Sequence, residues 1–283
     1  MWARCMWYVL PPAARCSICS PEGSGNGEND KMGKKIRRVV MLLLLLICLG
    51  SAGTAAYTII QYQTSEKLYS ETSDQYTVQA DTTEAPVEEE GEDRPPITVD
   101  FDALRQVNED VAGWIYCEGT VINYPVVQGE DNDFYLHRAY DKTYSSPGSI
   151  FADANNRADF ADANTILYGH HMKNGSMFAG LSDWADQAYY EEHPVMWLLT
   201  PEQNYKIELF SGYTAVAGSD VYTIFPEAGE ELDAYLKDAL ARSDFRADVE
   251  LGEGERYVLL STCAYVFENA RYVLHGRLTP VEG

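Results

Sequence analysis

The sequence predicts a mainly β protein: a closed β-barrel of about eight strands with an N-terminal helix and two inserted helices, preceded by one transmembrane helix. Three observations predict it. Short β-branched or aromatic runs recur between Gly, Asn, Asp and Pro from Val121 onward. Two stretches of helical periodicity interrupt those runs, and a third precedes them. One uncharged apolar stretch near the start is long enough to cross a bilayer. With 283 residues, 46% hydrophobic and 12% aromatic, the chain can build a sizeable core, which excludes wholesale disorder.

The stretch Val39 to Ile60 carries no charge, and a helix of that length spans about 30 Å. Lys34, Lys35, Arg37 and Arg38 stand directly before it, so the positive-inside rule keeps residues 1–38 cytoplasmic and places everything after Ile60 outside. The small residues Gly50-Ser51-Ala52-Gly53 also fit a cleaved signal peptide. The apolar run continues past them, which favours an uncleaved signal-anchor over 39–60. Within residues 1–31, Cys16-x-x-Cys19 has no second ligand pair at zinc-site spacing. Met32-Gly33-Lys34-Lys35 reads as an ordinary translation start, and no function is assigned to residues 1–31. Cys5, Cys16, Cys19 and Cys48 precede or lie within the span, leaving Cys117 and Cys263 in the outer body.

Charge is divided unevenly: residues 1–60 hold seven basic and three acidic side chains, the remainder 14 and 41. A body so acidic is repelled by a phosphate backbone, so nucleic-acid binding is excluded. Residues 61–96 are rich in Ser, Thr and Glu, include Glu88-Glu89-Glu90-Gly91-Glu92-Asp93 and end at Pro95-Pro96. That composition predicts a disordered, solvated stalk. The folded body is expected over 97–283. Phe101, Leu104, Val107 and Val111 recur at helical spacing until Gly113. Strands follow over Val121–Val127, Ser149–Ala152, Thr165–Tyr168, Val195–Leu199, Tyr205–Ser211, Tyr213–Val216, Tyr257–Ser261 and Arg271–Leu278. The inserted helices are expected over Met177–Glu192 and, on the stripe Leu232, Leu236, Ala239 and Leu240, between Pro226 and Ser243.

Cys263 ends the apolar strand Tyr257–Leu260 beside Ser261 and Thr262, which sets a thiol at a strand terminus near solvent. A free cysteine is otherwise a small buried hydrophobe, and that reading is preferred for Cys117. A thiol nucleophile needs an imidazole to exchange its proton. Of His137, His170, His171, His193 and His275, the adjacent His170 and His171 follow strand Thr165–Tyr168 and the turn residue Gly169. Two strand ends bearing Cys and His make a plausible pair. Metal binding by the histidine pair lacks a companion ligand and is discounted. Arg271 opens the strand after Cys263, and a hairpin would return its guanidinium toward the thiol, where it would stabilise an oxyanion.

Together these segments resemble class B sortases. Tyr168-Gly169-His170-His171-Met172, followed by Asn174-Gly175-Ser176-Met177-Phe178, resembles the family's histidine motif. Leu260-Ser261-Thr262-Cys263 resembles its Leu-x-Thr-Cys motif, Asn269-Ala270-Arg271 its arginine segment, and Ile122–Gly129 its early barrel strand. The matches run in order from about Ile97 to Pro280; Leu259 stands where many sortases have Thr. The resemblance implies a sortase-like barrel and an extracellular cysteine transpeptidase on a Gram-positive membrane. It would cleave a C-terminal sorting signal of secreted surface proteins and transfer them to a peptidoglycan amine. It also implies Cys263 as nucleophile, His170 as acid/base with His171 as the alternative, and Arg271 as oxyanion or substrate-backbone binder. Asn123, Val127, Ser261 and Thr262 are implied as substrate-binding positions. The insertion between Ala215 and Arg256 would wall the groove, with Tyr222–Ile224 within it. No metal or cofactor is expected. A thiol hydrolase using water, a pilus-polymerising sortase and a non-catalytic tethered module are the rival readings.

Overall fold

The computed structural model describes residues 26–80, 94–252, 254–263 and 269–281. Cys5, Cys16, Cys19, the acidic run of the expected stalk and the loop between Cys263 and Asn269 lie outside the described residues. Contacts divide the chain into one unit through Ala56 and another from Tyr57 onward. Helix α1 (Asn26–Tyr76) runs from the first into the second, and its part in the first exposes Leu42 to Leu46. Among the described residues α1 is the one helix long and apolar enough to cross a membrane.

The second unit begins earlier than expected. Residues 61–76 are helical, and β1 (Thr77–Gln79) pairs antiparallel with β2 (Ile97–Val99). The stalk reading fails over 61–80 because composition undervalues tyrosine. Ser65, Tyr69, Thr72 and Tyr76 recur at helical spacing and are buried, with Tyr62 and Leu68 packed against the same core. Their hydroxyls find partners while the rings supply apolar area.

Helix α2 (Phe101–Val107) is a turn shorter than its periodicity suggested. Asn108 leaves helical geometry, and its side chain binds the Asp110 N–H, the Tyr135 hydroxyl and the Tyr140 carbonyl. Val111 therefore opens β3 (Val111–Tyr116), a barrel strand the sequence reading missed. The barrel continues with β4 (Asn123–Val127), β5 (Ile150–Ala152), β6 (Asn164–Tyr168), β7 (Val195–Leu199), β8 (Asn204–Val216), β9 (Arg256–Cys263) and β10 (Ala270–Val281). The order β10-β8-β7-β3-β4-β5-β6-β9 closes on itself. Eight strands form it as expected, but by compensation: β3 is added, and two expected strands merge into β8 across Gly212. The expected helix over Met177–Glu192 is a 3-10 turn (Ala179–Ala185) and α3 (Gln187–Glu192), separated where Asp186 turns extended and caps α3. Helix α4 (Glu230–Arg242) lies where its stripe placed it.

Two apolar surfaces meet at the barrel wall. One fills the interior with Ile115, Val126, Leu198, Leu260 and Leu274. The other joins Ile166, Leu259, Val273, Tyr213 and Ala215 to Val221 and Ala239 of the insertion. His275 is buried in β10, its Nε2 2.8 Å from the Tyr235 hydroxyl, which itself donates to the Val221 carbonyl. Burial holds its pKa down to about 3 from an ordinary 6.5. Because the folded value is depressed, the stability tied to neutral His275 is complete above pH 6.5 and is lost as pH falls toward 3. Urea denaturation from pH 6.5 to 4.5 is expected to show a loss approaching ~1.4 kcal/mol per pH unit from this group, and His275→Gln to flatten that slope.

Candidate active site

Three strand ends meet on one rim of the barrel. β6 runs parallel to β9 with Tyr168 opposite Ser261, and the Gly169 N–H donates to the Ser261 carbonyl at 3.1 Å. β6 ends at Tyr168, so His170 follows it by two residues at the same edge where Cys263 ends β9. On the other side β9 pairs antiparallel with β10, setting Arg271 opposite Cys263. Adjacent strands lie about 4.8 Å apart, so the Cys263 and Arg271 backbones stand about that far apart, and Arg271 is near enough to His170 to act on its charge. The hairpin expected for Cys263 and Arg271 is present at the backbone. The Cys263 side chain lies outside what the structure describes.

Gly169 serves space rather than a turn. A Cβ there would come 2.5 Å from Ile150 Cδ1 and 2.6 Å from the Phe178 ring, so only hydrogen lets β6 seat His170 at this height. Beyond it the His170 carbonyl accepts from Phe178 N–H, closing the histidine loop. The half-buried imidazole places Nε2 2.8 Å from the Leu136 carbonyl oxygen. A carbonyl can only accept, so Nε2 carries the hydrogen and Nδ1 is left for proton exchange. Burial lowers the His170 pKa below 6.5; the Leu136 bond opposes this, while nearby His137 and Arg271 push the same way as burial. His137 stacks on it with ring centroids 6.0 Å apart. At neutral pH this is a neutral base. His171 instead pairs by its backbone with Met177.

Arg271 donates from Nη1 to the Ala270 carbonyl at 3.0 Å, which restrains the guanidinium beside its own strand end. The insertion reaches the same rim: the Tyr222 hydroxyl is 2.9 Å from Ser261 Oγ, and its ring stacks on Tyr168 at 6.1 Å. Tyr168 in turn donates to Asp153 at 2.8 Å.

Sortase B of Listeria monocytogenes is 37% identical over 180 residues, which cover 62% of this chain and 72% of that protein. Sortase B of Staphylococcus aureus is 32% identical over 183 residues, covering 64% of this chain and 75% of that one. The chain belongs to the class B sortases. This sortase is accordingly a cysteine transpeptidase. The crystal structure of Staphylococcus aureus sortase B superposes with a TM-score of 0.61 at 32% identity, over 64% of this chain and 87% of that chain. Sortase B from Bacillus anthracis in complex with AAEK1 gives 0.65 at 33% identity, over 78% and 99%. No family model matches the chain.

The positions this sortase was expected to offer substrate fare unequally. Asn123 borders a cleft of about 310 Å³ between α1, Val121–Tyr124 and Asn174–Met177, with its amide committed to Trp114 Nε1 and Ser73 Oγ. Val127 is sealed in the core at 0% exposure, which removes its side chain from any open groove. It lies level with Phe151, Tyr168 and Ser261 across four neighbouring strands and shares their face, so the rim is near but the side chain is covered by packing. Ser261 and Thr262 are each 2% exposed, and Thr262 Oγ1 has no partner among the described residues. Sequence reasoning missed the Leu136 carbonyl and Asp153, both far from the motifs in sequence. Among the described residues no cluster of His, Cys, Asp and Glu forms a metal site.

Cys117 is a packing residue, buried at 1% exposure with its thiol pKa pushed up to about 12 by burial. Iodoacetamide at pH 7.5 is therefore expected to leave Cys117 unmodified in the native protein, as read by peptide mass mapping. Gly169→Ala is expected to cost ~1–3 kcal/mol through overpacking and to lower kcat at least tenfold. Thermal melts and steady-state kinetics check the two effects.

Proposed function

We propose that this class B sortase is anchored by residues 39–60 with its catalytic body outside the cell, and that it joins sorting-signal-bearing surface proteins to a peptidoglycan amine. The observation that supports the chemistry is the register that sets Arg271 opposite Cys263 and ends β6, two residues before His170, level with Ser261. The basic cluster before the apolar part of α1 supports the orientation. A Staphylococcus aureus sortase B has been solved as a substrate complex, and a sortase B has also been solved in complex with triglycine, which supports a peptide donor and an amine acceptor.

In this reading the Cys263 thiolate attacks the carbonyl carbon of a threonine in the sorting signal. The tetrahedral oxyanion is met by Arg271 and by backbone N–H groups at the strand ends, a kind of contribution commonly worth ~3–4 kcal/mol. The C–N bond then breaks, and protonated His170 gives its proton from Nδ1 to the departing amine, leaving a thioester. An incoming amine attacks that thioester, loses its proton to His170, and restores the thiolate. The lowered His170 pKa means that few molecules hold thiolate and imidazolium together at neutral pH. Catalysis runs through that minor fraction, because the thiolate is the reactive form. Ser261, Thr262 and Asn123 act by shaping the rim and its adjoining cleft, and Tyr222–Ile224 borders the peptide. Anchoring of surface proteins is preferred to pilus assembly.

Incubating the protein with a sorting-signal peptide and an amine acceptor is expected to give a ligated product. Hydrolysis without ligation would assign a thiol hydrolase instead. Cys263→Ala and His170→Ala are each expected to abolish ligation with the fold intact, and Arg271→Ala to lower kcat by about 10²–10³. Full activity of Cys263→Ala would overturn the mechanism.

A further inference from the structure

We propose that Tyr69, on the body-side end of α1, is a positioning residue for His170, acting through the segment that presents the Leu136 carbonyl. The inference rests on the reading of His170 as acid/base. No carboxylate within hydrogen-bond reach orients this imidazole among the described residues; its Nε2–H is received by a main-chain oxygen. Such a carbonyl orients the ring only as well as its own segment is held. Residues 134–138 have no regular sheet behind them. They comprise a single 3-10 turn, Phe134–Leu136, followed by a tight reversal in which Arg138 pairs with Tyr144.

What fixes that segment is residues 145–149, folded directly against it. Ser149 N–H donates to the Tyr135 carbonyl at 3.0 Å, Ser145 N–H to the His137 carbonyl at 3.0 Å, and Ser149 Oγ to the Arg138 carbonyl at 2.8 Å. Contact is so close at Gly148, where φ is +61°, that a Cβ would sit 2.5 Å from the carbonyl oxygens of both Tyr135 and Leu136. Any shift of residues 145–149 is therefore passed to Leu136 backbone to backbone.

Tyr69 holds that second segment. Its hydroxyl donates to the Gly148 carbonyl at 2.6 Å and lies 3.1 Å from Ser149 Oγ, and one turn earlier Ser65 Oγ is 2.8 Å from Ser145 Oγ. The buried Tyr69 ring also meets Tyr124 edge-on, with centroids 5.4 Å apart. Tyr124 accepts the Met177 N–H at 3.1 Å, at the far end of the histidine loop. One side chain thus touches the support of the Leu136 carbonyl and, through a single ring, the loop that carries His170.

The test uses the full chain in detergent micelles with a sorting-signal peptide and an amine acceptor, and follows the His170 ring titration by NMR of 13C-labelled histidine. Tyr69→Phe keeps the ring and removes the hydroxyl. Loosening the Leu136 acceptor takes away a bond that favours the charged imidazole. The His170 midpoint is therefore expected to fall by roughly half a pH unit and kcat by about tenfold, with KM nearly unchanged. Ser149→Ala, a second variant in case the first folds poorly, is expected to shift both in the same direction by less. Unchanged kcat with an unchanged midpoint overturns the proposal. A lower kcat with a fixed midpoint overturns it too, since general loosening of the fold gives that pattern. His170→Ala, run alongside, assigns the resonance and separates the failures. If that variant stays active, the acid/base reading falls and takes the brace with it. If it is inactive while Tyr69→Phe behaves as wild type, only the brace falls.

Discussion

The barrel depends at its functional rim on the register between β6 and β9. These strands are parallel, so their C-terminal ends emerge side by side, and whatever follows each strand is delivered to the same edge. Antiparallel pairing of β9 with β10 then returns the chain to that edge at Arg271. Side chains alternate along a strand, so a slip of one residue would turn Leu259 and Ser261 to the other face and separate the insertion from its apolar footing. The register is protected by that cost. Leu260 packs inside the barrel while Leu259 packs under the insertion, and neither can change places without exposing apolar surface or burying an unpaired hydroxyl.

Electrostatically the site is built for a neutral imidazole. His170 is partly desolvated and close to a guanidinium, both of which disfavour a second proton, and its orienting partner is an uncharged carbonyl. A carboxylate in that place would raise the pKa and hold the ring charged. The arrangement suits the proposed role of His170, which is to give and take one proton within each cycle. The fold meets the cost of a buried half-rim with main-chain acceptors and tyrosine hydroxyls, at Tyr69, Tyr168 and Tyr222.

Much of this was legible in the chain. Apolar alternation and turn residues located seven of the eight barrel strands, and the stripe on α4 announced itself by spacing. The candidates His170 and Cys263 were marked by apolar runs that end abruptly in polar, reactive side chains, and the candidate Arg271 by opening the strand that follows Cys263. What stayed hidden had specific causes. β3 was masked because Val107 and Val111 extend the spacing of α2, and only the Asn108 network shows where the helix stops. Residues 61–80 looked like solvated spacer because serine, threonine and tyrosine count as polar in composition, yet at helical spacing they make a buried face. Val127 looked available to a ligand by motif, whereas its neighbours on β3 and β5 enclose it.

Taken alone, the amino-acid order determined which residues are chemically equipped to act, and that the body is a barrel behind an apolar helix, because side-chain chemistry and hydrophobic period are local properties. Only the tertiary structure decided which tautomer His170 adopts, that Gly169 is needed for room rather than for a turn, and that α1 reaches back to residues 145–149. Each of these depends on groups distant along the chain that folding alone brings into contact, and a backbone carbonyl such as that of Leu136 leaves no mark in the sequence.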